Sequence, residues 1–402
     1  MISPAQAKKL IAANLIKIKN QKINTNTSIG YTLNETIYAE RDQPPFDRVT
    51  MDGIAINSRT FKNNNYEFNI ESVHFAGDSK KTLKNKYCCI EVMTGSVLPE
   101  GTDCVIPIER LTIKNNIACL EANYELKKWQ FIHRQGSDHK KGEKVLQPGH
   151  KIAPIDIALI LSCGKDKINV NDEPSIRVIS TGCELIPAGK KIQPHQIRMS
   201  NGPSIVAMLN EQNYKNCMHH HLVDDKQIQK TNIKKYLSQS NILILSGGIS
   251  MGKADFIPKI LDELKVECIF YKIKQRPGKP MWFGVGPKNQ LVFALPGNPV
   301  SAITCCRHYI IPALKEMCGG ENPDKEYVQL QKNIHLKSKL TYFLPVKFFK
   351  TSSAIRKVIP IETNTSGDFT SLSGTSGYIE LSGNKNKFSK SENIIFHNWK
   401  HP

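Results

Sequence analysis

The sequence predicts a multi-domain α/β chain in which a doubly wound domain fills much of the second half and β-rich domains lie on either side of it. Three observations lead there. After Pro174, short apolar runs alternate with helical patterns. Between about residues 51 and 144, short strands follow one another between turns. The length of 402 residues, with 40% hydrophobic content, is enough for two to four domains with their own cores.

In chain order, Ala7, Leu10, Ile11, Leu15 and Ile18 repeat at helical spacing over residues 3–19, and Ser3-Pro4 makes a good helix start. Residues 27–39 read as extended, and Gln43 to Asp47 punctuate the chain with two prolines. Strands are expected at 66–73, 87–92, 103–107 and 117–120, with Gly77, Gly95 and Gly101 at turns. A short helix is expected at 155–163, with Gly164 as its C-terminal stop. The alternation then runs strand 175–180, helix 203–211, strand 217–223, helix 225–238 and strand 242–245. It continues with helix 258–264, strands 266–273 and 291–295, and helix 300–317. Such alternation predicts a parallel sheet with ligands beyond the carboxyl ends of its strands. Beyond about Gly319 the chain reads as a last β-like unit, with apolar runs at 342–346 and 358–361. The tail from residue 382 is basic and shows little pattern. No internal repeat is visible.

Composition narrows the function classes. No run approaches the roughly 18 apolar residues of a membrane span, and the N-terminus lacks the apolar stretch of a signal peptide. A cytoplasmic protein that does not engage a membrane is expected. The 11 cysteines form no C-x-x-C pair, so buried free thiols in a reducing compartment are expected. The net charge is +19, but basic residues are spread along the chain and no nucleic-acid-binding signature accompanies them. Nucleic acid is therefore not expected as the partner, and an anionic small molecule is.

The densest chemical signal is the run from Leu243 to Asp255. A buried strand ends in Ser246-Gly247-Gly248-Ile249-Ser250-Met251-Gly252, and Asp255 opens the next helical pattern. A loop stripped of side-chain bulk lets backbone N–H groups approach a phosphate. Asp255 fits a helix cap, or a metal ligand beside such an anion. Arg276-Pro277-Gly278-Lys279 sets two cations on a rigid turn, suited to a tetrahedral oxyanion. Pro296-Gly297-Asn298-Pro299 makes a rigid platform after another strand, and Thr181-Gly182-Cys183-Glu184 ends a third. Asp224-Asp225 fits a cap pair or metal ligands, and His219 to His221 alternate faces, so they do not complete a metal site.

Taken in order, these pieces resemble the MoeA family, the molybdopterin molybdenumtransferases, whose domain also occurs in gephyrin. The matching segments are Pro45-Phe46-Asp47 with Met51-Asp52-Gly53, Met93-Thr94-Gly95 with Pro99 to Asp103, and Arg134 with Asp138. They continue through Ser180 to Leu185, Ser200-Asn201, Ser246 to Asp255, Pro277 to Pro280 and Leu295 to Ser301. The likeness spans nearly the whole chain. It implies an elongated four-domain subunit, with domains at 1–45 plus 141–172, 46–140, 173–320 and 321–402. The third would be the molybdopterin-binding α/β domain. It implies a homodimer that inserts molybdenum from molybdate into adenylylated molybdopterin, with Mg2+-dependent release of AMP. Other molybdenum-cofactor biosynthesis proteins are further candidate partners. A non-catalytic molybdopterin-binding or scaffold paralogue is the alternative.

By the same likeness, Asp52, Thr94, Glu184 and Asp255 would be catalytic, and Glu184, Asp224, Asp225 and Asp255 would hold the metal. Arg134, Asp138, Ser246, Gly247, Gly248, Ser250, Arg276, Lys279, Pro296, Pro299, Ser301 and Ser366 would bind substrate. The β-rich residues Asp52, Thr94, Arg134 and Asp138 would come from the other subunit. Cys183 and Met199 stand where relatives commonly carry acids, and Arg276 replaces a common Lys.

Overall fold

The strand Ile242–Ser246 is buried at every position, and its side chains alternate between two cores. Ile242 and Ile244 pack with Val178, Phe293 and the helix residues Ile205 and Leu209. Leu243 and Leu245 pack with Ile179, Val292 and the helix residues Ile233, Leu237 and Ile260. A strand apolar on both faces needs a helical layer on each, as the alternation of the sequence demands. In this computed structural model, residues 1–61, 66–249, 256–349, 355–361 and 367–399 are described.

The chain forms two compact units, Met1–Asn34 with Pro148–Ala153 and Ile168–Pro402, and Glu35–Gln147 with Pro154–Lys167. In the first, six strands run in the order Cys217–Leu222, Ile176–Thr181, Ile242–Ser246, Leu291–Leu295, Trp282–Val285, Glu267–Tyr271. The first four are mutually parallel, and their carboxyl ends are in register: Ser180 lies opposite Ser246, and Ser246 opposite Leu295. The helix after Ile176–Thr181, Asn201–Glu211, packs on one face, and the helix Lys226–Ser238 packs on the other. The chain thus changes direction between the strands ending at Thr181 and Ser246, where doubly wound sheets open a crevice.

Three expectations are corrected in this sheet and its cover. The sheet is mixed, because Trp282–Val285 and Glu267–Tyr271 are antiparallel to their neighbours. Trp282–Val285 is a four-residue strand interrupted by Gly284, too short for its period to be read. The helix expected at 300–317 is Pro299–Cys305 and Ile311–Met317 joined by a π turn, Cys306–Ile310. Pro312 has no N–H for the carbonyl four residues earlier, and the wider turn accommodates that loss. The N-terminal helix is Pro4–Ala12, opened by a reciprocal capping box between Ser3 and Gln6. It stops short of the expected Lys19, where the Asn14 amide donates to Leu10 O at 2.8 Å.

The last part of this unit is a closed β ring. Thr341–Phe349 pairs with Lys357–Pro360, then come Glu326–Leu330, Asn393–Asn398 and Gly377–Leu381, which returns to Thr341–Phe349. Its interior holds Val328, Leu330, Val346, Val358, Ile379, Leu381, Ile394 and Phe396. The C-terminal segment is therefore no loose tail. Asn393–Asn398 closes the ring and removes its open edge. Its alternation was masked by the lysines of the preceding turn.

The second unit centres on a six-stranded sheet ordered Cys104–Pro107, Gly53–Ile56, Cys89–Val92, Glu67–His74, Ile117–Leu120, Leu111–Lys114. The four expected strands are among them, and the helix Pro154–Ser162 ends near Gly164, whose φ is +76°. The stretch read as extended, 27–39, starts at the last residue of a 3-10 turn, Thr25–Thr27, and contains the strand Ile37–Tyr38, paired with Lys144–Leu146. Gly53 is required here, since a Cβ would stand 1.9 Å from Ile106 O. All 11 cysteines are free thiols. Among the described residues no helix is long and apolar enough to cross a membrane.

Phe293 is fully buried between the sheet and its helices, with the Phe283 ring centroid 4.9 Å away. Phe293→Ala is expected to cost about 3–5 kcal/mol. Urea unfolding followed by fluorescence checks it, and an unchanged midpoint for the unit would contradict this packing.

Candidate functional site

Parallel register sets the loops after Thr181, Ser246 and Leu295 at one level, and a cavity of about 760 Å³ opens there. Its lining includes Thr181, Gly182, Glu184, Asn201, Asp224, Ser246, Gly247, Gly248, Pro296, Gly297 and Pro299. Gly367 and Phe369 line it too.

The Ser-Gly loop is shaped by close approach. Gly247 has φ +100°, and a Cβ there would lie 2.8 Å from Thr181 O. Gly248 has φ +69°, with Thr181 Oγ1 3.1 Å from its Cβ direction. Both positions need glycine: the neighbouring strand end meets Gly247, and Ile257 Cγ1, 2.7 Å from a Cβ, meets Gly248. Gly247 N–H donates to Leu295 O at 3.2 Å, so this amide serves the sheet rather than a ligand. Ser246 is buried and its hydroxyl accepts from Asn201 Nδ2 at 3.0 Å. The same Nδ2 donates to Gly297 O at 2.7 Å, which ties the Ser-Gly loop to the proline platform. Since Gly297 O can only accept, the Asn201 amide orientation is settled. Its Oδ1 and the Thr181 hydroxyl are buried in the cavity wall without a partner among the described residues. These are acceptor or donor positions waiting for a polar ligand.

Two carboxylates reach the same cavity. Glu184 folds back over Gly182, where a Cβ would stand 2.5 Å from Glu184 Oε2. Asp224 Oδ2 accepts from Cys183 N–H at 3.1 Å and Oδ1 from Gln229 Nε2 at 3.3 Å. Cys183 Sγ in turn accepts from Asp224 N–H at 3.2 Å, so the two loop ends are clasped. Asp225 behaves as the cap its position allowed: its Oδ1 accepts from Ile228 N–H at 2.7 Å, and it is not part of the cavity lining. Of the three histidines, His219 Nε2 meets Ser180 Oγ at 3.0 Å, His221 Nε2 meets Gly182 O at 2.8 Å, and His220 stacks on Tyr236.

Arg276 and Lys279 are exposed and lie outside that lining. The turn between them is held from below by Gln275, which is fully buried. Its Nε2 donates to Pro277 O at 3.1 Å and Gly278 O at 3.3 Å, and Tyr309 OH donates to its Oε1. The two cations are thus aimed by a buried amide as much as by the Pro-Gly backbone. Arg276 Cζ also lies 5.8 Å from the Tyr342 ring centroid, where its strand joins the β ring. Ser301 is 3% exposed inside the helix Pro299–Cys305 and does not line the cavity. Ser250, Asp255 and Ser366 lie outside the described residues.

In the other unit, Asp52 and Thr94 form a tight pair. Thr94 donates to Asp52 Oδ1 from its backbone N–H at 2.6 Å and from its hydroxyl at 2.7 Å. These bonds favour the carboxylate, and the backbone one leads in lowering the Asp52 pKa below its ordinary 3.8. Arg134 Nε donates to Asp47 Oδ1 at 3.0 Å, and its guanidinium lies 3.5 Å from the Trp129 ring centroid. Asp138 Oδ1 lies 2.8 Å from His133 Nε2.

Sequence reasoning brought Glu184, Asp224, Ser246, Gly247, Gly248, Pro296 and Pro299 to one place. It did not single out Thr181, Asn201 or Gln275 as site organisers. Asn201 directly after a serine at a helix start was a visible signal, while the burial of Gln275 was not.

Three family descriptions match the chain in succession. They are the MoeA N-terminal region (domains I and II) over residues 2–164, a probable molybdopterin binding domain over 177–316, and the MoeA C-terminal region (domain IV) over 327–399. The chain is similar to the molybdopterin molybdenumtransferase of Synechocystis sp., 34% identical with 99% of this chain and 100% of the relative covered. It is 29% identical to the Staphylococcus epidermidis protein of the same name, over 98% and 94% of the two chains. The crystal structure of the molybdopterin biosynthesis moeA protein from Pyrococcus horikoshii OT3 superposes with a TM-score of 0.82 at 26% identity. It covers 99% of this chain and 100% of that one.

The Asp52–Thr94 pair predicts a pH effect. Because folding lowers the Asp52 pKa, its contribution is present above the ordinary aspartate range and is lost as pH falls through the folded value. In an NMR titration the Asp52 carboxyl midpoint should lie below 3.8. Thr94→Val should move it part of the way back, since the backbone N–H bond remains. An unmoved midpoint would show that the hydroxyl does not act on Asp52.

Proposed function

The chain belongs to the MoeA family and is a molybdopterin molybdenumtransferase of molybdenum cofactor biosynthesis, and from that premise we propose the reaction its site performs. The protein takes adenylylated molybdopterin and molybdate, inserts molybdenum into the dithiolene and releases AMP with the help of Mg2+. The observation that carries this reading is the meeting of Glu184 and Asp224 with the Ser246–Gly248 loop in one cavity of about 760 Å³. That volume suits a sizeable small-molecule ligand, which pockets of roughly 300–1,000 Å³ accept.

Hard carboxylate oxygens are the donors Mg2+ takes, and Glu184 and Asp224 supply two of them on one wall. On this reading these two hold the ion, with Asp255 as a third candidate and Asp225 positioning Asp224 through its cap. Bound there, Mg2+ would neutralise phosphate charge and polarise the phosphoanhydride. The remaining tasks fall to the chain's own residues. Gly247 and Gly248 keep the strand end open so that phosphates can come close, and Ser250, two positions further in the sequence, is a further candidate. Asn201 Oδ1 and Thr181 Oγ1 offer hydrogen bonds that orient the pterin portion. Pro296 and Pro299 hold their wall rigid, which keeps the bound geometry from drifting. Arg276 and Lys279 receive molybdate, a tetrahedral dianion, and Ser366, which precedes the cavity-lining Gly367 in the sequence, is a further candidate. Ser301 supports the cation turn from the helix beneath it.

The proposal includes a homodimer in which the second subunit brings Asp52, Thr94, Arg134 and Asp138. It also keeps the four-domain division, with boundaries near residues 45, 140, 172 and 320, which the order of the three matched regions supports. A cytoplasmic location fits the free thiols.

Reconstitution tests the reaction. Purified protein with adenylylated molybdopterin, molybdate and Mg2+ should release AMP. Glu184→Gln and Asp224→Asn should each slow release by about a hundredfold or more, with the magnesium dependence shifted to higher concentration. Near-normal release from both would remove these carboxylates from the mechanism. Tight binding without AMP release by the unaltered protein would favour the scaffold reading, to which the Cys183–Asp224 clasp lends a specific observation. Gly247→Ala should weaken molybdopterin binding by about tenfold or more, because its methyl group meets Thr181 O. Isothermal titration reads that loss, and unchanged affinity would mean the loop lies away from the ligand.

A further inference from the structure

A second group of metal-capable side chains lies away from the strand-end cavity, where the β ring meets the helical cover of the sheet. His308 sits on the π turn Cys306–Ile310, Glu380 on the strand Gly377–Leu381 and His397 on the strand Asn393–Asn398. One ring nitrogen of each histidine and one carboxylate oxygen of Glu380 all lie within 4.8 Å of one another. Glu380 Oε2 and His397 Nε2 are 3.0 Å apart. These three residues also line a separate cavity of about 380 Å³. We propose that His308, Glu380 and His397 form a binding site for a divalent transition ion of the Zn2+ type, with its fourth position open to this cavity.

Several independent observations point to a ligand here. His308 is 2% exposed, and its Nε2 has no hydrogen-bond partner among the described residues. A buried imidazole nitrogen left bare is costly, and a metal is one of the few groups that satisfies it. The other nitrogen, Nδ1, meets Tyr378 OH at 3.0 Å. When Nδ1–H donates to that oxygen, Nε2 presents its lone pair, the outer-shell arrangement that orients metal-bound histidines. His397 is held as firmly, its ring stacked on Tyr378 at 4.9 Å between centroids.

The donor set selects the ion. Two imidazoles and one carboxylate suit Zn2+, Co2+ or Ni2+ rather than Mg2+, which takes oxygen ligands. Tetrahedral bonds of about 2.0–2.1 Å place ligand atoms about 3.3 Å apart, close to the Glu380–His397 spacing, and the third ligand atom lies within 4.8 Å of both. Lys8, Arg307, Lys315 and Lys325 line the same cavity and oppose a cation. Arg307 Nε donates to Asn398 O at 2.7 Å, and Asp324, Glu326 and Glu380 line the cavity as anions. A bound ion would staple the last two strands of the β ring to the helix beneath.

The test uses the full chain, stripped with a chelator, dialysed against Zn2+ or Co2+ and desalted. The expected result is one equivalent of metal retained. With Co2+, the visible absorption of a tetrahedral nitrogen-ligated ion should appear. Thermal unfolding should move to higher temperature with Zn2+. His397→Gln should lose the equivalent, the absorption and the thermal shift. Glu380→Gln, nearly isosteric and so the safer fold, should weaken retention by more than about tenfold. A Glu184→Gln, Asp224→Asn double variant should keep all three signals, which separates this site from the carboxylates of the other cavity. The proposal is overturned if the unaltered protein retains no metal, or if Glu380→Gln and His397→Gln retain as much as it does.

Discussion

The site depends on the parallel register of four strands. Ser180, Ser246 and Leu295 lie side by side, so three loops begin at one level. Each loop begins with small or rigid residues, and none would form a cavity alone. Once aligned, they approach so closely that side chains must be absent at Gly247 and Gly248. The same closeness lets one amide, that of Asn201, bond to both Ser246 and Gly297. A slip of any strand by one residue would reverse its two faces and separate these partners.

Chemistry is divided among the loops according to what each can carry. The Ser-Gly loop contributes space, the platform from Pro296 to Pro299 contributes rigidity, and the loop after Thr181 contributes charge through Glu184. Asp224 comes from the adjacent strand end and is held by Cys183. A cysteine at this position gives the cavity one carboxylate fewer than an acid would, and its sulfur acts as a hydrogen-bond acceptor instead. The cations Arg276 and Lys279 sit on a turn governed by Gln275, a neutral buried group that fixes charge without burying any. This arrangement avoids the desolvation cost that a buried cation would carry.

Much of the fold was legible because burial on two faces leaves a plain record. The strands at Ile176–Thr181, Ile242–Ser246 and Leu291–Leu295, and the helices Asn201–Glu211 and Lys226–Ser238, fall within a few residues of expectation. Features that failed were short or interrupted. Trp282–Val285 has four residues and a glycine, and Asn393–Asn398 follows a lysine-rich turn. Both are strands because neighbours pair with them, since their own pattern is weak.

The sequence by itself determined the alternation of strands and helices, the small-residue loops, the paired acids and cations, and the ordered motifs that mark the family. Those are local, written in residues a few positions apart. The tertiary structure alone decided which acid faces the cavity and which caps a helix, since Asp224 and Asp225 are chemically identical neighbours pointing to different partners. It alone revealed that Thr181 and Asn201 leave polar atoms in the wall unpaired among the described residues, and that His308, Glu380 and His397 converge. Such meetings join residues tens of positions apart, and only the packed chain brings them within reach.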